Sequence, residues 1–293
     1  MSKAGDFRKL LKQDGIIVIP GCYDAISARL AEEAGFGATM LGGYAMGAVT
    51  GLTEPLMTMT EVLQIAQQIA QRISIPLAVD VGAGFGDATF VMRMTREFIR
   101  AGVAAVHIED QYYPKRALYH AGIKDVIPKE DMIAKIRAAV KARGDDEFVI
   151  IARSDAREAR NGGLEDCIDR CRAYVDAGAD IIMPYSTCAP SLEEAAYMAS
   201  SIPAPCIYVN SEGRPQYPKY TSQQIEKTGF KLVVYNTCSI MSAVNAVKDT
   251  LDRLKRTGDS GFSMEDLAPT RQLIERLIGL PELYKIEQEY RMG

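Results

Sequence analysis

Long hydrophobic runs are missing from this chain of 293 residues. No apolar stretch approaches the ~20 residues that a membrane span requires, so no membrane partner is expected. The first residues, MSKAGDFRKLLKQDG, are polar and carry no apolar core of a secretion signal. Basic charge is not in excess either: 34 Lys and Arg stand against 38 Asp and Glu, a net charge of −4. With no basic stripe interleaved with aromatics, nucleic acid is not an expected partner. The six cysteines, at 22, 167, 171, 188, 206 and 238, lack the spacing of a zinc ribbon or a redox pair. They read as buried free thiols in a reducing compartment, which makes the cytoplasm the expected location. No G-x-G-x-x-G follows the first strand, which counts against the rival open-sheet, dinucleotide-binding reading.

What is present is a repeated unit. Short apolar runs recur eight times, at 16–20, 38–43, 76–81, 104–109, 148–154, 180–185, 205–210 and 231–236. They suit strands buried on both faces of a parallel sheet. Amphipathic stretches long enough for crossover helices lie between them, several ending in a capping glycine (Gly35, Gly102, Gly178, Gly229). Eight such units predict a (β/α)8 TIM barrel over 1–257. Beyond a Gly/Ser break, residues 258–293 predict an apolar helical extension that packs on a partner subunit.

Active sites of such barrels gather at the C-terminal ends of the strands. Those ends read Gly42-Gly43-Tyr44, Asp80, His107-Ile108-Glu109-Asp110, Arg153-Ser154-Asp155 and Asn210-Ser211-Glu212. Two or three carboxylates can hold Mg²⁺, largely through water, and Arg153 can clamp a carboxylate through two hydrogen bonds. The backbone at Gly42 and Gly43 allows close approach of an anion. Any one strand-end acid can equally be a helix cap. Asp110 reads as structural, Asp24 as an N-cap, and His107 as a core residue or a support behind a ligand.

Four segments carry a further signal: Pro20–Arg29, Val79–Gly86, His107–Gln111 and Ile151–Ala156. In that order and spacing they resemble the isocitrate lyase/phosphoenolpyruvate mutase superfamily. The resemblance implies a barrel with its eighth helix exchanged between subunits, commonly in a homotetramer. It implies Mg²⁺ (or Mn²⁺) near Asp80, with Glu109 and Glu54 outside it, and a substrate carboxylate held by Gly42, Gly43, Tyr44 and Arg153. It also implies cleavage or formation of a C–C or P–C bond through an enolate.

Three departures stand out. The family's D-x-D at the third strand end has Gly82 as its second member here, with Asp87 five residues on as a possible substitute. The lyase lid motif K-[KR]-C-G-H reads Lys115-Arg116-Ala117-Leu118-Tyr119-His120. Ala117 cannot carry a proton, which leaves Tyr119, His120 or water for that task, with Lys115 as a charge for an oxyanion. The alternative is a lid without chemistry. Tyr185 stands where the lyase branch has Glu, whereas Asn210 fits the family's Asn. Tyr44, Tyr119 and Tyr185 hint at a bulkier or less charged substrate arm. The expected function is a Mg²⁺-dependent carbon–carbon lyase on a small 2-hydroxy or 2-oxo acid. Oxaloacetate decarboxylation or hydrolysis, mutase or phosphonopyruvate hydrolase chemistry, and an acid-binding paralogue are the alternatives.

Overall fold

The computed structural model describes residues 2–185 and 187–291. The eight strands are β1 (Ile17–Cys22), β2 (Thr39–Leu41), β3 (Leu77–Asp80), β4 (Ala105–Glu109), β5 (Val149–Arg153), β6 (Ile181–Met183), β7 (Ile207–Asn210) and β8 (Leu232–Tyr235). All pairings are parallel, in the order β6-β5-β4-β3-β2-β1-β8-β7. A bridge between Ile182 and Cys206 closes β6 onto β7, and a (β/α)8 TIM barrel results. Seven of the predicted apolar runs contain a whole strand, and β1 runs two residues past the end of the first.

The strands alternate between two apolar clusters. One parity, including Ile19, Met40, Ala78, Ala105, Ile151, Met183, Val209 and Val234, fills the barrel interior. The other, including Leu41, Val79, Val106, Ile150, Ile182, Tyr208 and Val233, packs with the helices. This two-residue period decides which strand-end side chains can face the barrel axis.

Helices α1 (Lys3–Leu10), α2 (Ala25–Glu33), α3 (Gly43–Thr50), α4 (Met59–Ala70), α5 (Ala88–Arg100), α6 (Lys129–Arg143), α7 (Leu164–Asp176), α8 (Leu192–Ser201) and α9 (Ser222–Glu226) alternate with the strands. Their starts follow from capping chemistry. Asp24 with Ser27 caps α2, and Thr58 with Glu61 caps α4, each as a reciprocal pair. Helix α1 places Phe7, fully buried, in the interior cluster. Burial of one such ring stabilises the fold by about 1.5–3 kcal/mol. Helices α1 and α3 are additions to the predicted pattern, and α3 begins at Gly43, inside the run read as the second strand.

The chain divides into two compact units, Met1–Ile240 and Met241–Gly293. The second holds most of α10 (Cys238–Thr257) together with α11 (Met264–Leu277) and α12 (Leu280–Glu289). Within the helical extension read at 258–293, Gly279 in the left-handed conformation separates α11 from α12. No helix among the described residues is long and apolar enough to cross a membrane.

Candidate active site

The ladder brings the chemistry together. Asp80 on β3 pairs in register with His107 on β4, and Glu109 on β4 pairs with Arg153 on β5. All four share the parity of the interior residues and stand on its upper layer. All are buried, with Glu109 fully so.

Asp80 is held from three sides. Its Oδ1 accepts from the Gly82 amide at 2.9 Å and lies 2.9 Å from His107 Nε2. Its Oδ2 accepts from the Gly43 amide at 3.1 Å. Burial raises its pKa, but His107, Lys115 and Arg153 outweigh that and hold the carboxyl well below the usual range. Asp80 therefore stands ready as an anion. Glu54, in the one-turn helix Glu54–Leu56, completes a trio of acids with Asp80 and Glu109. Burial, with Asp80 and Glu109 nearby, pushes the Glu54 carboxyl up, although Lys115 pulls the other way.

Ligand atoms of Asp80, His107 and Glu109 lie within 4.8 Å of one another. Glu109 Oε1 is buried and receives no hydrogen bond, although Lys115 Nζ lies 3.0 Å away. Hard oxygen donors with an unsatisfied buried oxygen fit a divalent cation of the Mg²⁺ or Mn²⁺ kind. His107 faces Asp80 as a support behind the carboxylate, with its Nδ1 unbonded. The expected compensation by Asp87 does not occur: its carboxylate accepts from the amides of Thr89 and Phe90 and caps α5.

Arg153 is clamped by the protein itself. Its Nε and Nη2 donate to Asp155, and its Nη1 lies 3.3 Å from Glu109 Oε2. Burial pushes Asp155 up, but Arg153, Lys124 and Gln111 outweigh it and hold the carboxyl down at about 2. Arg153 Nη2 also donates to the Tyr119 hydroxyl at 2.6 Å. The segment between β4 and α6 thus folds over the site. Its Lys115 bonds Glu54 and Glu109, and burial is outweighed by these acids, which keep the ammonium charged well above its usual range. His120 Nε2 is 3.6 Å from Glu54 Oε2. Burial, then Lys115, lowers its pKa, so the imidazole is neutral at physiological pH.

Other expected site residues sit differently. The Gly43 amide is spent on Asp80, and the half-exposed Tyr44 ring lies 6.2 Å from His120 at the mouth. Gly42 caps α3 against the Asn236 side chain, a close neighbour that sequence reading did not reveal. Asn210 has the outward parity of Tyr208. Its amide donates to the Tyr220 carbonyl, beside a separate cavity that also holds Arg214 and Lys219. Tyr185 donates to Glu194 and packs against Tyr208 and Phe230 in the outer core. Asp110 also points outward and binds Ser154 and Tyr174, as a structural residue should.

A parallel barrel with buried acids on β3 and β4 facing an arginine on β5 defines a metal-assisted enzyme of small organic anions. Residues 7–275 match the phosphoenolpyruvate phosphomutase family, and the chain belongs to it. It is 34% identical to 2,3-dimethylmalate lyase of Eubacterium barkeri over 296 residues, covering 100% of both chains. It is 36% identical to 2-methylisocitrate lyase of Halalkalibacterium halodurans over 275 residues, covering 94% of this chain and 89% of that one. Among solved structures, oxaloacetate acetylhydrolase in complex with the inhibitor 3,3-difluorooxalacetate matches with a TM-score of 0.90 at 31% identity, over 100% of this chain and 98% of that one. Phosphonopyruvate hydrolase in complex with oxalate and Mg²⁺ matches with a TM-score of 0.85 at 28% identity, over 100% of each. The protein is a lyase of the isocitrate lyase/phosphoenolpyruvate mutase superfamily.

Proposed function

We propose that this lyase cleaves the C2–C3 bond of a small 2-hydroxy dicarboxylic acid of the substituted-malate type. The observation that carries the reading is the inward set of Asp80, Glu109 and Glu54 facing Arg153. In the reaction the 2-hydroxyl loses its proton, the C2–C3 bond breaks, and C2 becomes the carbonyl of a 2-oxo acid. The electron pair left on C3 spreads into the adjoining carboxylate as an enolate, which takes up a proton at C3. A bound divalent ion, Mg²⁺ or Mn²⁺, held by Asp80 with Glu109 and Glu54 around it, would supply Lewis acidity to the oxygen carrying charge.

The chain's own groups do the rest. Arg153, held flat by Asp155, offers a planar fork to a substrate carboxylate. Gly42, Gly43 and Tyr44 bound the mouth on the α3 side. Lys115 brings positive charge toward the oxyanion. Neutral His120 can take the 2-hydroxyl proton and return it as imidazolium, and with the Tyr119 phenol it forms the proton carriers of the lid, in place of the group that Ala117 lacks. Asn210 and Tyr185 shape the outer wall. Sequence relatives named for dimethylmalate and methylisocitrate support a branched substrate arm.

Ala117 favours one second reading without a lid cysteine: hydrolytic C2–C3 cleavage of oxaloacetate, which leaves the same kind of carboxylate enolate, or its decarboxylation, which breaks C3–C4 and leaves the enolate of pyruvate. The solved oxaloacetate acetylhydrolases support it.

The same proposal takes the protein as a cytoplasmic homo-oligomer whose C-terminal helices pack on, or exchange with, a partner subunit. Six free cysteines support the compartment. Exposed Val244, Val247, Leu251 and Leu254, spaced three and four apart along α10, support the interface.

The test is a Mg²⁺-dependent turnover screen over substituted malates, 2-methylisocitrate, oxaloacetate and phosphonopyruvate, with 2-oxo acid and oxalate both detected. Turnover of a malate that disappears in Asp80→Ala supports the lyase reading. Oxalate from oxaloacetate alone moves the enzyme to the second reading, and metal-independent turnover overturns both.

A further inference from the structure

The segment after β4 ends two of its side chains on the two groups that ligands would use. Lys115 places its ammonium against Glu54 and 3.0 Å from Glu109 Oε1, with the side chain only 7% exposed. Four residues on, Tyr119 receives its hydrogen bond from Arg153 Nη2 at 2.6 Å. Lys115 Nζ also stands 4.5 Å from the centre of the Tyr119 ring, so the two contacts belong to one device.

Three buried carboxylates without a counter-charge are costly, and one ammonium among them offsets part of that cost. The same oxygens cannot serve the ammonium and a divalent cation at full strength. Both cations draw on the same lone pairs, and close positive charges repel strongly in a buried pocket. A phenol oxygen on Arg153 likewise stands where an anionic oxygen of a carboxylate would.

We propose that the segment 111–124 is a built-in ligand mimic. Lys115 supplies the charge of the metal and Tyr119 supplies the oxygen of the substrate carboxylate. Loading of the metal then requires Lys115 to leave Glu54 and Glu109, and this loosens the segment before substrate enters. Lys115 is a positioning residue that couples metal occupancy to access. This rests on the reading of Asp80, Glu109 and Glu54 as the metal-binding set.

The experiment is a Mn²⁺ titration of the full-length enzyme, with free Mn²⁺ read by electron paramagnetic resonance, for the native protein, Lys115→Met and Asp80→Ala. It is paired with amide hydrogen exchange of the native protein with and without Mn²⁺. Lys115→Met is expected to bind Mn²⁺ on the order of 10-fold tighter, because a competing charge is gone. The amides of Tyr119, Gly122 and Ile123, bonded inside the segment, are expected to exchange faster when Mn²⁺ is added to the native enzyme. Equal or weaker Mn²⁺ binding by Lys115→Met, with binding lost in Asp80→Ala, overturns the mimic and leaves the metal set standing. Undiminished binding by Asp80→Ala removes the metal set and the mimic together. Where Lys115→Met does not fold, the exchange measurement decides alone, and unchanged or slower exchange overturns the mimic.

Discussion

Asp80 and Glu109 show how one residue's neighbours set its role. Each sits at the end of a strand, each is buried, and each has cations from other strands and from the lid beside it. His107 is the partner behind Asp80. His107→Gln keeps the volume but weakens the contact to the carboxylate. Mn²⁺ affinity is expected to fall about 10–100-fold, with the fold intact by circular dichroism. Asp110, one residue past Glu109, has the opposite parity and a different part to play. Burial first, then Asp155, lifts its carboxyl to about 6, against hydrogen bonds from the Asp155 amide, Ser154 and Tyr174. An acid whose folded pKa exceeds its unfolded value favours the fold while protonated. That contribution is full below about pH 4 and is lost as pH rises through about 6. Urea denaturation is therefore expected to show the native protein losing about 3 kcal/mol between these limits relative to Asp110→Asn, for a shift from 3.8 to about 6.

Among elements, the loop after β3 is one of the three places that depart from the family pattern. Gly82 has φ 52°, and a Cβ there would meet only Glu109 Oε1 at 3.9 Å. Space exists for a side chain, and aspartate tolerates this backbone better than most residues. Gly82→Asp is expected to cost about 1 kcal/mol of stability by thermal melting. It should also tighten Mn²⁺ binding about 10-fold by adding an acid to the site. Weaker Mn²⁺ binding would show that the loop turns the new carboxylate away. Asp87 was within sequence range of the same task, yet its Oδ1 is committed to the start of α5. Spacing alone does not separate a cap from a ligand, because both use a short acidic side chain after a glycine. By order along the chain, Asn210 fits the family's Asn and Tyr185 stands where the lyase branch has Glu. Asn210 turns outward because a strand offers only every second residue to the interior, whereas Tyr185 lies past the end of β6, where the chain has left the alternation that Ile181 and Met183 follow.

At the scale of the molecule, the proposed homo-oligomer rests on the exposed apolar stripe of α10. Val247→Lys with Leu251→Lys puts two charges on that stripe and is expected to lower the mass measured by light scattering to that of a smaller species. An unchanged mass would remove α10 from the interface. The eight-fold plan itself was legible without coordinates. Apolar runs of five to seven residues, buried on both faces, leave a parallel sheet with helical crossovers as their economical arrangement. Asp80, Glu109 and Arg153 were legible too, since a barrel carries its chemistry where its strands end. The sequence by itself thus determined the barrel, the family and the acids facing an arginine, because these depend on local periodicity and on motif order. Only the tertiary structure decided that Lys115 and Tyr119 rest on those groups, that Gly43 serves Asp80, and that Asn210 faces away. Those outcomes depend on register, parity and the path of one loop, which arise only when the strands are closed into a ring.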